Sequence, residues 1–490
     1  MIDLAAPSAA TQAAPLPFEP DRRSAVGPAV VGGLLVCALA AALIVLLPGS
    51  GALLAVGLVV GTPVLAGAAF LLHRRPWLAA WGAVLLFSTT AELRLRVDPM
   101  VGVLKDLYVG LLVVLVVLWV RRQPSALRRL RPLAFPLTAL ALLVGLYLLD
   151  PAGSHGTSWQ FGTRLLVQVL ALLMVGMLLA PARTLEHLVA ALCVVLPFEA
   201  VFAWIQQLAG PAALIYRWGY QYGAQVRSTS TGGVRTSGSF EDPFQLAALA
   251  VLGLALALFV ARRRQAVVLI VSGLAVLGAT SVRTALVQVG LLLVIWAVRR
   301  GWAREAAALA AVAAVAGVLI LATTTSSLYP GAPEEPLLFS LNGRSTSWSL
   351  AVDGWKSLVT GNGVGARGTG STRTSTAVSG PPRYDPTAAP PPAFAGNPAF
   401  LDSSYAQVQS DVGIVGSVAL LAALAGTAVF VVRRCRDRTD GAAWAAGGVL
   451  AISLVDWIGR SSLASYTTGF LTLYILGVLL GATRTQERTA

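Results

Sequence analysis

Three arginines and one aspartate stand where this chain could carry chemistry. Arg235 follows a Gly-Gly pair, Arg283 lies between two apolar runs in TSVRTAL, Arg344 precedes the helical pattern STSWSLAVDGWKSL, and Asp402 precedes an apolar run in PAFLDSSY. An arginine donates paired hydrogen bonds to phosphate oxygens and keeps its charge. A carboxylate can accept the proton of a hydroxyl. If these residues converge, they would form an anion site beside a general base.

Each of these residues also has a purely structural alternative. An arginine near hydrocarbon can extend to the lipid headgroups or form a surface salt bridge. Asp402 or Ser403 could cap the following helix without any catalytic role. Glu241 and Asp242 have the same alternative before the helix that starts at the next proline. Asp411 fits a helix-start charge better than a catalyst.

The composition indicates that these residues are positioned by membrane helices. The chain is 56% hydrophobic and only 12% charged, with a mean hydropathy of +0.74. Apolar runs recur that are long enough to cross about 30 Å of hydrocarbon, and there the backbone must be helical. The sequence therefore predicts an all-α integral membrane protein with about 12–14 transmembrane helices. The approximate spans are 28–47, 51–72, 77–91, 100–120, 132–149, 162–180, 185–207, 243–261, 265–280, 284–298, 305–323, 411–432, 443–458 and 464–482.

Basic residues in the turns between spans predict the orientation. They fall on alternate turns, at 74–75, 121–131, 262–264, 299–304 and 433–438, which is the distribution typical of cytoplasmic loops. Both termini are then cytoplasmic, in a multi-pass plasma-membrane protein. Because this positive charge is spread over turns rather than gathered on one soluble face, it does not indicate a nucleic-acid partner.

The same pattern predicts the organisation of the chain. We expect a disordered cytoplasmic tail at 1–27, transmembrane helices over 28–323 with an outer loop at 208–242, a large extracytoplasmic loop with short helices at 324–410, transmembrane helices at 411–482 and a cytoplasmic tail at 483–490. Of the three histidines, only His155 falls in an outer loop and remains a candidate. The GNGVG sequence at 361–365 lacks the context of a nucleotide motif, but its amides, near Arg367, could help to hold an anion.

Four stretches together resemble the superfamily of O-antigen ligases and O-antigen polymerases. They are RTSGSFEDPFQLA at 235–247, TSVRTAL at 280–286, GRSTSWSLAVDGWKSLVTGNGVG at 343–365 and LDSSYAQVQSDVGIVG at 401–416. All four occur in the family's order, on the side predicted to face outward. The second stretch carries an inserted Val282 within the family's Ser-Arg pair. Ligases carry His where this chain has Asp402 or Ser403, and a carboxylate there is similar to polymerase members and to cell-wall polymerases of the shape and division class.

This resemblance implies an inverting membrane glycosyltransferase with no metal or cofactor. Its donor would be a glycan on undecaprenyl pyrophosphate, and its acceptor a glycan, lipid or protein at the outer face, among membrane lipids and other envelope-polysaccharide assembly proteins. Arg235, Arg283 and Arg344 would hold the pyrophosphate and Asp402 would be the base. Secondary candidates are Tyr405, Glu241, Arg367 and His155. A lipid-linked oligosaccharide flippase or other polysaccharide transporter, and a non-catalytic scaffold of an export machine, remain alternatives.

Overall fold

Long helices make up most of the chain that the structure describes. The structure, a computed structural model, describes residues 71–72, 74–96, 102–128, 130–153, 156–179, 181–220, 226–228, 234–302, 304–305, 307–308, 325–326, 335–336, 349–368, 401, 403–463 and 468–483. Residues from Arg75 onward form one unit. Besides the short helical turns Pro76–Leu78, Ser125–Arg128 and Arg131–Leu133, its helices are α1 (Ala79–Arg96), α2 (Gly102–Arg122), α3 (Ala134–Leu149), α4 (Thr157–Leu178), α5 (Pro181–Tyr216), α6 (Pro243–Phe259), α7 (Arg263–Thr280), α8 (Arg283–Arg299), α9 (Trp355–Thr360), α10 (Ser404–Arg434), α11 (Gly441–Gly459) and α12 (Thr468–Ala482).

The predicted fold class is confirmed: the chain is an all-α, multi-pass membrane protein. Six helical stretches in the described part are long and apolar enough to cross a membrane, and α6 and α12 are shorter apolar helices. Eleven predicted spans coincide with the described helices α1–α8 and α10–α12. The other three, at 28–47, 51–72 and 305–323, lie wholly or largely outside the described residues.

The last helix, α12, lies at the centre of the packing. All its residues are buried, as expected of a helix that is apolar on every side. It packs against α4 along glycines, and a Cβ at Gly477 would lie 2.2 Å from the carbonyl oxygen of Leu173. Such small residues let two membrane helices approach closely.

The helices end in two groups that define two ends of the bundle. At one end, which we call the arginine-rich end, Arg299 donates from Nη1 to the carbonyl of Phe259 at 3.1 Å and from Nε to that of Arg438 at 3.2 Å. Helix α8 ends at this end and α11 begins here, so the two helices are antiparallel. They are joined along their length where Gln288 donates to the carbonyl of Ile452 at 3.1 Å. Arg283 and the end of α11 therefore lie at the opposite end, which we call the loop end.

The predicted loops contain more regular structure than the sequence indicated. Helix α5 continues to Tyr216, through a kink at Gly210, into the loop predicted at 208–242. A short strand β1 (Arg227–Ser228) pairs with β2 (Val234–Arg235). In the large loop, β3 (Thr325–Ser326) pairs with β4 (Glu335–Pro336). The helix predicted at 345–358 is helical at 349–351 and, after a break, in α9.

Candidate functional site

The first family-like stretch begins as a buried loop, 235–242, held by a fully buried glutamate. Glu199, in α5, accepts hydrogen bonds from the Ser239 backbone amide at 3.0 Å and from the Ser239 hydroxyl. The same hydroxyl lies 2.8 Å from the carbonyl oxygen of Ser88 in α1. A charged side chain inside a membrane domain is costly unless it is paired or hydrogen-bonded. Glu199 therefore binds this loop between α1 and α5.

A glutamine two turns further along the same face of α5 holds the same loop. Gln206 accepts from the Gly238 amide at 2.9 Å and donates to the Gly238 carbonyl at 2.8 Å, so that its side chain pairs with the backbone as a strand would. It also lies 3.1 Å from the Tyr220 hydroxyl, which donates to Glu92 at 2.9 Å. These bonds fix the backbone close to Arg235.

Replacing Glu199 with alanine is expected to destabilise the protein by about 1–3 kcal/mol, because the Ser239 amide loses its acceptor while the Ser239 hydroxyl can still donate to the Ser88 carbonyl. Glu199→Gln retains one acceptor oxygen, so its loss should be smaller. Thermal unfolding in nanodiscs and hydrogen–deuterium exchange at 236–242 measure both effects. Wild-type stability and exchange in Glu199→Ala would contradict the anchoring role.

The loop brings the segments of Arg235 and Arg283 together at the loop end. Thr236, next to Arg235, donates to the Ala279 carbonyl at the end of α7 at 3.3 Å. Arg235 is half-buried in β2. Arg283 is exposed at the first position of α8, and among the described residues its guanidinium makes no hydrogen bond or ion pair. It is therefore free to face a ligand from this end.

The other predicted site residues divide into described and undescribed positions. Arg344, Asp402 and His155 lie outside the described residues, so their distances to Arg235 and Arg283 remain predictions. Glu241 is half-buried beside Asp242.

The last family-like stretch is fixed by serine caps. Ser403 is the N-cap of α10, with its hydroxyl accepting from the Ala406 amide at 3.5 Å, which confirms the capping alternative for Ser403. The same hydroxyl donates to the Trp457 carbonyl at 3.0 Å, and Tyr405 donates to the Leu454 carbonyl at 3.5 Å. The start of α10 is thus bonded along the end of α11, and Tyr405 with it.

Arg460, which the sequence analysis missed, connects this stretch to the first one. Its carbonyl accepts from the Ser404 amide at 3.0 Å and from the Ser404 hydroxyl at 2.8 Å. Its guanidinium lies 3.3 Å from Asp456 and 3.7 Å from Asp242. Asp242 is also the N-cap of α6, bonded to the Gln245 amide at 2.8 Å, so its capping alternative is confirmed. The sequence does carry a signal for the Asp456–Arg460 pair, since the acid and the arginine are four positions apart at the end of an apolar span.

The glycine loop, Gly361–Gly365, binds carboxylates of the protein itself. The amide of Val364 donates to Asp150 at 3.1 Å and that of Gly365 to Asp411 at 3.1 Å. Asp411 also accepts from the Tyr147 hydroxyl at 2.8 Å. The suggestion that this loop's amides hold an anionic ligand is therefore wrong for these two amides.

Asp411 and Arg367 also make contacts that the sequence did not indicate. Asp411 is 1% exposed and lies two residues before a break in α10 at Gly413, and its carboxylate binds the Tyr147 hydroxyl and the Gly365 amide. It is a buried acceptor that anchors the large loop to the bundle. Arg367 pairs with Asp353 at 3.3 Å and donates to the Leu350 carbonyl, so its guanidinium is engaged within the same loop.

Comparison with known proteins does not assign the chain to a family, so the class of protein is defined by the fold and the site. No family model and no curated protein matches the chain. Among the described residues, no three His, Cys, Asp or Glu side chains are grouped to hold a metal ion. The protein belongs to the class of multi-pass helical membrane proteins, with polar segments bonded together at one end of the bundle.

Proposed function

We propose that the protein is a membrane glycosyltransferase that polymerises or ligates glycan from an undecaprenyl-pyrophosphate-linked donor. One observation carries this proposal: Arg460 connects the two segments that bear the first and last family-like stretches, through Asp242 on one side and Ser404 on the other. The segment of Arg283 meets the first of them at Ala279. The third stretch is bonded to the last one through the Gly365 amide and Asp411, so described parts of all four stretches are connected.

The proposed reaction needs one base and a cationic site. The acceptor hydroxyl transfers its proton to the carboxylate of Asp402 while its oxygen forms a bond to the anomeric carbon. The bond from that carbon to the diphosphate oxygen breaks with inversion, and undecaprenyl pyrophosphate leaves. Arg235, Arg283 and Arg344 stabilise the negative charge that develops on the leaving group.

The proposal includes an orientation. The protein lies in the plasma membrane with its arginine-rich end facing the cytoplasm, because basic residues are concentrated in cytoplasmic loops. Both termini lie on that side. The loop end then meets the donor and a glycan, lipid or protein acceptor at the outer face. Proteins of envelope-polysaccharide assembly are the expected partners.

The alternative of a lipid-linked oligosaccharide flippase has less support. Among the described residues, the buried acids Glu199, Asp150 and Asp411 bind the protein's own loops, Asp456 pairs with Arg460, and Asp440 caps α11. A polar cavity beside Asp456 measures about 20 Å³ and an apolar one beside Leu143 about 40 Å³. Since one water needs roughly 10–15 Å³, neither admits a sugar in this conformation.

The Arg283→Ala variant is expected to transfer glycan about 10²- to 10³-fold more slowly, because the leaving pyrophosphate loses a charged donor. The assay uses purified protein in nanodiscs with a lipid-pyrophosphate glycan. Arg263→Ala is the matched control, since Arg263 is likewise an exposed first residue of a helix but belongs to the cytoplasmic turn, and it should keep the wild-type rate. Equal rates for Arg283→Ala and wild type, or transmembrane movement of the donor without transfer, would refute the proposal.

A further inference from the structure

The contacts of Arg460 point to a role that the family-like stretches do not include. We propose that Arg460 is a positioning residue that holds the 235–242 loop and the start of α10 in fixed register, and with them the segments that bear Arg235 and, directly before the Ser403 cap, Asp402. This inference rests on the proposed function for its catalytic consequence. Its structural part can be measured without any substrate.

The side chain of Arg460 is directed to the first segment. Nη1 lies 3.3 Å from the Phe244 carbonyl oxygen and 3.3 Å from Asp456, and Nη2 lies 3.7 Å from Asp242. The guanidinium also lies over the Phe244 ring, 4.9 Å from its centroid. Its side chain is only 15% exposed, so water screens these contacts weakly. The first residues of α6 are thereby held from the end of α11.

The backbone beside Arg460 is bonded to the second segment. Besides the two bonds from Ser404 to the Arg460 carbonyl, the Leu463 amide donates to the Ser404 hydroxyl at 3.0 Å, and the Ser461 hydroxyl donates to Gln407. The turn 460–463 is thus bonded to the start of α10 through Ser404 and Gln407. Because Asp402 directly precedes the Ser403 cap, any shift of this turn would also move the base.

The geometry requires arginine rather than lysine. Two nitrogens of a planar group serve an acid on α11, an acid that caps α6 and a backbone carbonyl, while the flat face meets an aromatic ring. A lysine ammonium is a compact charge without this fork or stacking surface. Asp456 pairs with one terminal nitrogen of Arg460 and Asp242 with the other, so the guanidinium is held by the protein and is not directed to substrate.

The kinetic effect follows from how far the two segments could shift once the contacts of Arg460 are lost. A misplacement of about 1 Å at the reacting groups lowers the rate about 10²-fold. Arg460→Met should therefore lower kcat about 10²-fold and leave the KM for the donor near its wild-type value. Arg460→Lys should show an intermediate loss of kcat.

The test distinguishes the two roles of Asp242, the ion pair with Arg460 and the N-cap of α6. Asp242→Ser keeps a good N-cap for α6 but removes the charge that meets Arg460, so it should resemble Arg460→Met. Asp440→Ser is the matched control, because Asp440 caps the opposite end of α11, bonded to the Ala443 amide at 2.9 Å, and it should behave as wild type.

Two measurements on these variants in nanodiscs decide the outcome. Hydrogen–deuterium exchange without substrate should become at least several-fold faster at both 236–244 and 404–408 in Arg460→Met and Asp242→Ser. Unchanged exchange, or a wild-type kcat in both variants, would overturn the inference. A raised donor KM with unchanged kcat would also overturn it, by showing direct substrate binding. If the wild-type protein transfers no glycan, the proposed function fails while the exchange result still decides the structural role.

Discussion

The Asp402→Asn variant is expected to transfer glycan about 10²- to 10⁴-fold more slowly than the wild-type protein. Asparagine has a similar shape but cannot accept the proton of the attacking hydroxyl. Asp402→His should keep more activity than Asp402→Asn, because ligases of the superfamily that this chain resembles carry histidine at this site. Single-turnover transfer from a lipid-pyrophosphate glycan in nanodiscs measures the chemical step.

The control for Asp402 is Asp353→Asn. Asp353 lies in the same large loop, its side chain is 73% exposed, and its contact is an ion pair with Arg367. Its loss should leave the transfer rate unchanged, since exposed ion pairs contribute about 0–1 kcal/mol to stability. A wild-type rate for Asp402→Asn would remove Asp402 from the catalytic position and leave the reaction without its base.

The helices could be predicted from the sequence because their signal is local. A run of apolar residues long enough to span hydrocarbon admits only one backbone conformation, and this alone locates α1–α8 and α10–α12 to within a few residues. The largest difference is at the end of α5, predicted at 207 and observed at Tyr216, beyond the kink at Gly210. Helix α10, predicted from 411, starts at Ser404 and has a break at Gly413. The intervening Gln407, Gln409 and Ser410 are polar but buried, so a hydropathy signal underestimates a helix whose polar residues bind other parts of the protein.

The site could be predicted only in its separate pieces. The stretches at 235 and 401 carry recognisable residues, but their connection runs from Asp242 to Arg460, separated by more than two hundred positions. The glycine loop shows the same limit. Exposed amides suit any anion, and only the fold reveals that Asp150 and Asp411 are the anions that two of them bind.

Replacing Asp411 with alanine is expected to release the glycine loop and to destabilise the protein by about 2–6 kcal/mol. The Tyr147 hydroxyl and the Gly365 amide would both lose their acceptor in a buried position, and each such loss costs about 1–3 kcal/mol. The backbones also pack closely beside this site, because a Cβ at Gly413 would lie 2.1 Å from the Val359 carbonyl oxygen. Thermal unfolding in nanodiscs and amide exchange at 363–366 measure the two effects.

Graded variants distinguish this anchor from a general loss of folding. Tyr147→Phe removes one donor and leaves the carboxylate bonded to Gly365, so it should cost less than Asp411→Ala and leave exchange at 363–366 closer to wild type. Asp411→Asn should fall between them, since it keeps one acceptor oxygen. If Asp411→Ala unfolds at the wild-type temperature with slow exchange at Gly365, the loop must be held by packing alone. The large loop would then be attached to the bundle at the start of α4, where Gly365 lies against Ser158, and at α10, without help from the Asp411 carboxylate.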